Sequence, residues 1–201
     1  PEVFAPNERF AFVELTSDRQ FYIERGASFF ARLTLNDPAH KTTTLFSTDD
    51  GVVDIYWDWD PSQQFYFQFN FEGSSLSDFV NPQPFLNNGT EYNFLYIADF
   101  DNIGTPAGGF ASVSVKYDLF LQSSGQPITS ASSSNSNPLF PVPFKIPGQK
   151  LQFGNSGVPT NSDSLRWEFS EVAYWSVPLP LESAAAVIDS PWNAPVSPLC
   201  H

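Results

Sequence analysis

Asp99, Asp101 and Asn102 place three oxygen-bearing side chains within four residues. Hard cations such as calcium take oxygen ligands of this kind, about six to eight at a time. The trio is therefore a candidate metal site that needs further ligands, from elsewhere in the chain or from a second subunit. An Asx-rich turn, whose side chains bond the local backbone, uses the same residues without a metal. Carboxylates also gather at Asp49-Asp50, Asp54, Asp58 and Asp60. Two facing carboxylates can run glycoside hydrolysis, but only at a set separation, and wet strand faces carry the same residues for solubility alone.

Nucleophilic catalysis has little to work with. His40 lies in the turn-like DPAHK and His201 is terminal; these are the 2 histidines. There is no Gly-x-Ser-x-Gly elbow. Cys200 adjoins His201, but neighbours at a chain end are not held as an oriented thiol–imidazole pair. No catalytic residue is expected, and the chain is read as a non-enzyme that needs no cofactor, with calcium between subunits as the one candidate ion.

Aromatic side chains offer a different chemistry, stacking against the apolar face of a sugar ring. Alternating aromatics in strands are usually core, and Trp57, Trp59, Phe65, Phe67, Phe69 and Phe71 are expected there. Tyr56, Tyr66 and Trp175 are the candidates for outward, glycan-binding rings. Asn88-Gly89-Thr90 is a glycosylation sequon and reads equally as a turn.

The elements that must position these groups are strands. The chain holds 21 Phe, 7 Tyr and 5 Trp, broken up by 18 Pro and 11 Gly, the composition of an all-β protein. Gly51–Asp60 and Phe65–Phe71 pattern as a hairpin across Pro61–Gln64. One face would carry Val53, Ile55, Trp57 and the Phe ladder; the other would set Asp54, Tyr56 and Asp58 near Tyr66, Gln68 and Asn70. Further strands are expected at Phe10–Leu15, Gln20–Glu24, Ser28–Leu35, Leu165–Phe169 and Val172–Val177, with a helical turn at Ser74–Phe79. Gln122–Pro138 is Ser-rich and reads as a linker. The domain reading is thus a sandwich over residues 1–121, a linker over 122–138, and a C-terminal β extension or projection over 139–201. The Pro- and Ala-rich stretch from Pro178 is expected to wrap over a surface or reach a neighbour.

Net charge is −13, from 22 acidic and 9 basic residues. That disfavours direct contact with nucleic acid, which needs Lys and Arg. No apolar run is long enough for a membrane helix, and no membrane partner is expected. Methionine is absent, position 1 included, so a trimmed chain or a piece of a longer one is expected.

Tyr92–Leu121 carries the most specific wording. Val113, Val115, Tyr117, Leu119 and Leu121 alternate with Ser112, Ser114, Lys116 and Asp118, preceded by Ala98–Asn102, Thr105-Pro106 and Gly108-Gly109. A strand, a polar Asp/Asn/Thr/Pro loop, glycine and a closing strand in this order resemble the end of the shell-domain jelly roll in coat proteins of small icosahedral viruses, the tombusvirus-like and nodavirus-like groups. Gly51–Pro61 is similar to that family's glycine-led strand ending in Asp. The resemblance implies an antiparallel jelly-roll-like β-sandwich with a C-terminal extension. It also implies a capsid subunit that assembles with copies of itself or sister subunits into the virion shell, with acidic calcium sites at contacts and a host receptor as partner. The family's basic N-terminal arm has no counterpart here. The alternative is a carbohydrate-binding β-sandwich, free or as a receptor-binding projection; a glycosidase is the third reading.

Overall fold

The computed structural model describes residues 12–16, 22–36, 43–48, 53–58, 64–71, 73–81, 86–87, 89–142, 144–145, 150–154 and 166–196. Both histidines, Cys200, Trp59, Asp49, Asp50, Asp60, Asn88 and most of the Pro61–Gln64 turn lie outside these residues.

The strands, in chain order, are β1 (Phe12–Thr16), β2 (Tyr22–Ile23), β3 (Gly26–Asn36), β4 (Thr43–Thr48), β5 (Val53–Asp58), β6 (Gln64–Phe71), β7 (Ser74–Val80), β8 (Glu91–Ile103), β9 (Phe110–Ser123), β10 (Thr129–Pro141), β11 (Phe144–Lys145), β12 (Lys150–Gly154) and β13 (Arg166–Trp175). A short helix, α1 (Ala184–Asp189), follows. Six strands form a front sheet in the order β1-β12-β4-β5-β6-β7, and five form a back sheet in the order β10-β9-β8-β3-β13. Neighbours in both are antiparallel. The expected all-β, jelly-roll-like sandwich is what the chain adopts.

The two sheets close on a layer of rings. In β6, Phe65, Phe67, Phe69 and Phe71 point inward while Tyr66, Gln68 and Asn70 stay half-buried outside. Phe65 meets Phe94 of the back sheet at 4.5 Å, Phe67 meets Tyr96 edge-on at 5.1 Å, and Phe69 meets Phe100 edge-on at 5.0 Å. At the far side Phe46 lies between Phe29, at 5.1 Å, and Tyr174, at 4.7 Å. Tilted and edge-on pairs suit the ring quadrupole and add to the gain from removing this much apolar area from water. Trp57 is fully buried here, as its alternation predicts.

The outer face of the back sheet is also apolar, and a C-terminal strap covers it. Leu179, Ala184, Val187 and Ile188 pack on Phe30, Leu95, Ile97, Ala173 and Trp175. Buried Ser28 pins the strap: its Oγ donates to the Val177 carbonyl at 3.0 Å and accepts from the Leu179 N–H at 2.8 Å. The tail expected to wrap over a surface does so along its described length.

Several expectations need correction. The Ser-rich stretch is not a linker: residues from Thr129 onward form β10, paired with β9 from Thr129↔Leu121 to Asn137↔Val113. It is an edge strand, so it needs little apolar surface of its own; backbone pairing and side-chain amides hold it. Asn135 and Asn137 donate to the Ser77 and Ser75 carbonyls of β7, and Ser74 Oγ donates to the Leu139 carbonyl, so the edges of the two sheets are stitched together. The helical turn at Ser74–Phe79 is instead β7, drawn into the front sheet by pairing with β6. The two strands expected at Leu165–Phe169 and Val172–Val177 are the single β13, with a register shift between Phe169 and Glu171. Division at residue 121 fails as well, because β12 pairs with β1 and β4, and β13 pairs with β3. Both halves of the chain build one sandwich.

Gly26 opens β3 at φ +124°, and a Cβ there would sit 1.9 Å from the Ala98 carbonyl oxygen on neighbouring β8. Gly26→Ala should therefore cost about 3 kcal/mol or more, at the severe end for single substitutions. Urea denaturation measures it; a loss within about 0.5 kcal/mol, the surface-substitution range, would refute this account of the β3–β8 contact.

Candidate functional site

Inward packing of the Phe ladder obliges the intervening residues to face outward, since strand side chains alternate. Tyr56 of β5, Tyr66 of β6 and Phe79 of β7 are direct cross-strand partners in turn. They form a row of rings across three adjacent strands of the front sheet. Tyr56 and Tyr66 have centroids 6.0 Å apart, and Tyr66 and Phe79 4.6 Å apart, each pair inclined at 43°. Phe79 is 45% exposed and the two tyrosines are half-buried. Tyr66 donates its hydroxyl to Ser77 Oγ at 2.6 Å.

A polar network runs beside the row. Asn70 Nδ2 donates to Asp54 Oδ2 at 3.1 Å, and Gln68 donates its amide to Asn70 Oδ1. Asp54 is 6% exposed. Burial pushes its carboxyl above the usual carboxylate range, while hydrogen bonding from Ser47, Tyr56 and Asn70 favours the charged form and opposes that rise. The Tyr56 hydroxyl is pushed up in turn, by burial first and then by the neighbouring Asp54 charge. Together the rings and amides offer a stacking surface flanked by donors and acceptors. Asp54 is the single carboxylate among the described side chains of this face.

Of the glycan candidates, Tyr56 and Tyr66 come together as expected; Trp175 does not. It is 1% exposed on the outer face of the back sheet, beneath the strap, with its indole N–H donating to the Val196 carbonyl at 3.0 Å. The apolar strap, whose contacts no local pattern reveals, turns an outward residue into a buried one. Phe79 and Ser77 were missed because Asp78 occupies an inward position, facing Phe67 in register, which breaks the alternation of β7. The Ser75, Ser77, Phe79 spacing was the signal available.

The acidic trio lies elsewhere. Asp99 is half-buried near the end of β8, while Asp101 and Asn102 are exposed across a register shift between Asp99 and Asn102. Burial raises the Asp99 carboxyl, Asp101 adds to the rise, and Arg25 and Lys116 oppose it. Asp99 borders a cleft of about 320 Å³ between the back sheet and the strap, shared with Ile97, Lys116, Asp118 and Pro178–Glu182. Asp118 there is already paired, with Lys116 Nζ at 3.0 Å and with the Ser132 hydroxyl. Among the described residues no three His, Cys, Asp or Glu side chains come together around a point that could hold a metal.

No family model matches the chain, and no curated protein matches it. Solved structures do. A native heptameric SAP-like pentraxin from Limulus polyphemus superposes with a TM-score of 0.56 at 11% identity, over 92% of this chain and 78% of that one. A galectin from Caenorhabditis elegans gives 0.36 at 13% identity, over 84% and 95%. An alginate lyase from Alteromonas sp. 272 gives 0.41 at 11% identity, over 85% and 81%. At such identities the pentraxin likeness is one of fold, the antiparallel β-sandwich already described.

The raised Asp54 carboxyl makes a pH prediction. The folded chain holds that proton more tightly than the unfolded chain, where Asp titrates at about 3.9. Asp54 therefore favours folding most below that value, and its contribution is lost as pH rises through the folded-state pKa. Asp54→Asn removes this share, so the variant should lose less stability than wild type between about pH 4 and about pH 7. Urea denaturation at the two pH values gives the comparison; identical losses in both proteins would mean that Asp54 carries no such strain.

Proposed function

We propose that this chain is a carbohydrate-binding β-sandwich, standing alone or serving as the receptor-binding part of a larger assembly. The observation that carries this reading is the Tyr56–Tyr66–Phe79 row lying beside Asp54, Gln68 and Asn70 on the outer face of the front sheet. A pyranose has an apolar C–H face and a rim of hydroxyls. The rings suit the first, and the Gln68 and Asn70 amides suit the second, with each hydroxyl able to donate and accept. Rigid strands position all these groups, so little ordering would be needed on binding. The reading assigns the chain no catalytic step.

A second reading, a coat subunit assembling with copies of itself or sister subunits into a virion shell, has its own support. The Tyr92–Leu121 wording is one part; the other is apolar surface along and beside the strap, where Val177, Leu181, Trp192 and Val196 are 40%, 45%, 65% and 44% exposed. Such surface favours contact with another protein. The readings are compatible if the subunit both assembles and binds glycans.

Two measurements separate them. On a glycan array wild type should be retained, and Tyr66→Ala or Phe79→Ala should each weaken binding about tenfold, equivalent to about 1.4 kcal/mol; undiminished binding by both variants would remove the platform. Light scattering with negative-stain microscopy reports assembly. Closed particles of megadalton mass would establish the shell, whereas a monomer at high concentration would count against it.

A further inference from the structure

We propose that the Tyr56–Tyr66–Phe79 face selects uncharged glycans and rejects sialylated, uronic-acid and sulfated ones, with Asp54 as the specificity-determining residue. The inference rests on the carbohydrate-binding reading and names its ligand class.

The first argument is charge. Asp54 lies at the foot of the ring row, and its hydrogen-bonding neighbours, Ser47, Tyr56 and Asn70, are all neutral. The other described outward side chains of this face, from Gln64 and Gln68 to Ser75 and Ser77, are neutral as well, so no described cation is at hand to receive an anionic substituent. An anion seated on the rings would face Asp54 without compensation, and like charges brought together at a contact are penalised. The chain's −13 charge extends the same repulsion to the approach.

The second argument is hydrogen-bond complementarity. The carbonyl oxygen of Gln68 is an acceptor that calls for a donor, whereas the Asp54 carboxylate already accepts from Asn70 and acts through its charge. Neutral sugar hydroxyls donate. Carboxylate and sulfate groups on a glycan only accept, so one placed against Gln68 Oε1 would leave that acceptor unpaired once water is displaced. The third is geometry. Tyr56, Tyr66 and Phe79 sit on three adjacent strands, and neighbouring strands are about 4.8 Å apart. The row is thus longer than one sugar ring. Discrimination would then fall on substituents of two linked residues rather than on a single terminal sugar.

The test is an array of matched glycan pairs, identical but for sialic acid, uronic acid or sulfate, probed with wild type, Asp54→Asn and Tyr66→Ala at about pH 8, where carboxylates are ionised, and at low and high salt. Wild type should hold the neutral members and bind the anionic partners at least about tenfold more weakly. Asp54→Asn should narrow that gap, read within the variant as the ratio of neutral to anionic binding, whatever it does to the neutral members themselves. Added salt should narrow it in wild type too, by screening, a readout that does not depend on the variant folding. Equal or tighter binding of the anionic partners, abolished by Tyr66→Ala, would overturn the class and leave the binding reading standing. No retention of any glycan by wild type, or retention untouched by Tyr66→Ala, would overturn both.

Discussion

The ring layer between the sheets governs what either outer surface can present. Four Phe of β6 are committed to it, and the period of a strand leaves no choice about where Tyr66, Gln68 and Asn70 then go. A slip of one residue would expose the ladder and bury the amides, exchanging a large hydrophobic gain for buried polar groups. The outward face of the front sheet is therefore held in register by the energetics of the inward one. The β5–β6 and β6–β7 pairings carry that register sideways, aligning Tyr56, Tyr66 and Phe79 across the strands.

The two outer faces solve opposite problems. Phe30, Leu95, Ile97 and Trp175 make the back face apolar, and bare in water it would be a liability; the strap with α1 covers it. α1 is too short to be stable alone, so its packing on the sheet, together with the paired hydrogen bonds of Ser28, holds it there. The front face carries its own satisfaction, with Tyr66 bonded to Ser77 and Asn70 to Asp54. It can stay wet without cost in unpaired groups, which leaves its rings free to meet a ligand.

Edges complete the sandwich. β7 and β10 end the two sheets on the same side, and each would otherwise present unpaired backbone to other chains. The Asn135 and Asn137 amides and the Ser74 hydroxyl fill part of that role. A strand made of Ser and Asn, with few apolar side chains, is a poor template for aggregation. That gives a physical reason for a segment which looks, as a string of letters, like something unable to fold.

Read without coordinates, the chain determined its class and the central part of its front sheet. Alternation in 53–57 and 65–71, with the abundance of Phe, is a local property, so the buried ladder, the β5–β6 pairing and the outward Tyr56 and Tyr66 could be read directly. The closing pair, β8 and β9, was legible for the same reason. What only the tertiary structure decided depends on partners distant in sequence. β10 is a strand because β9 is there to pair with it and the β7 carbonyls accept its Asn amides. Phe79 joins the ring row because β6 fixes its register, despite an inward Asp78. Trp175 is buried because a strap that begins after it folds back across it. The β8–β9 pairing shifts register between Asp99 and Asn102, leaving Asp99 half-buried and Asp101 and Asn102 exposed, which spacing cannot show. Local periodicity records which face of a strand is apolar; it carries no information about what comes to cover that face, and here the covering chain determines which aromatic residues remain accessible to a ligand.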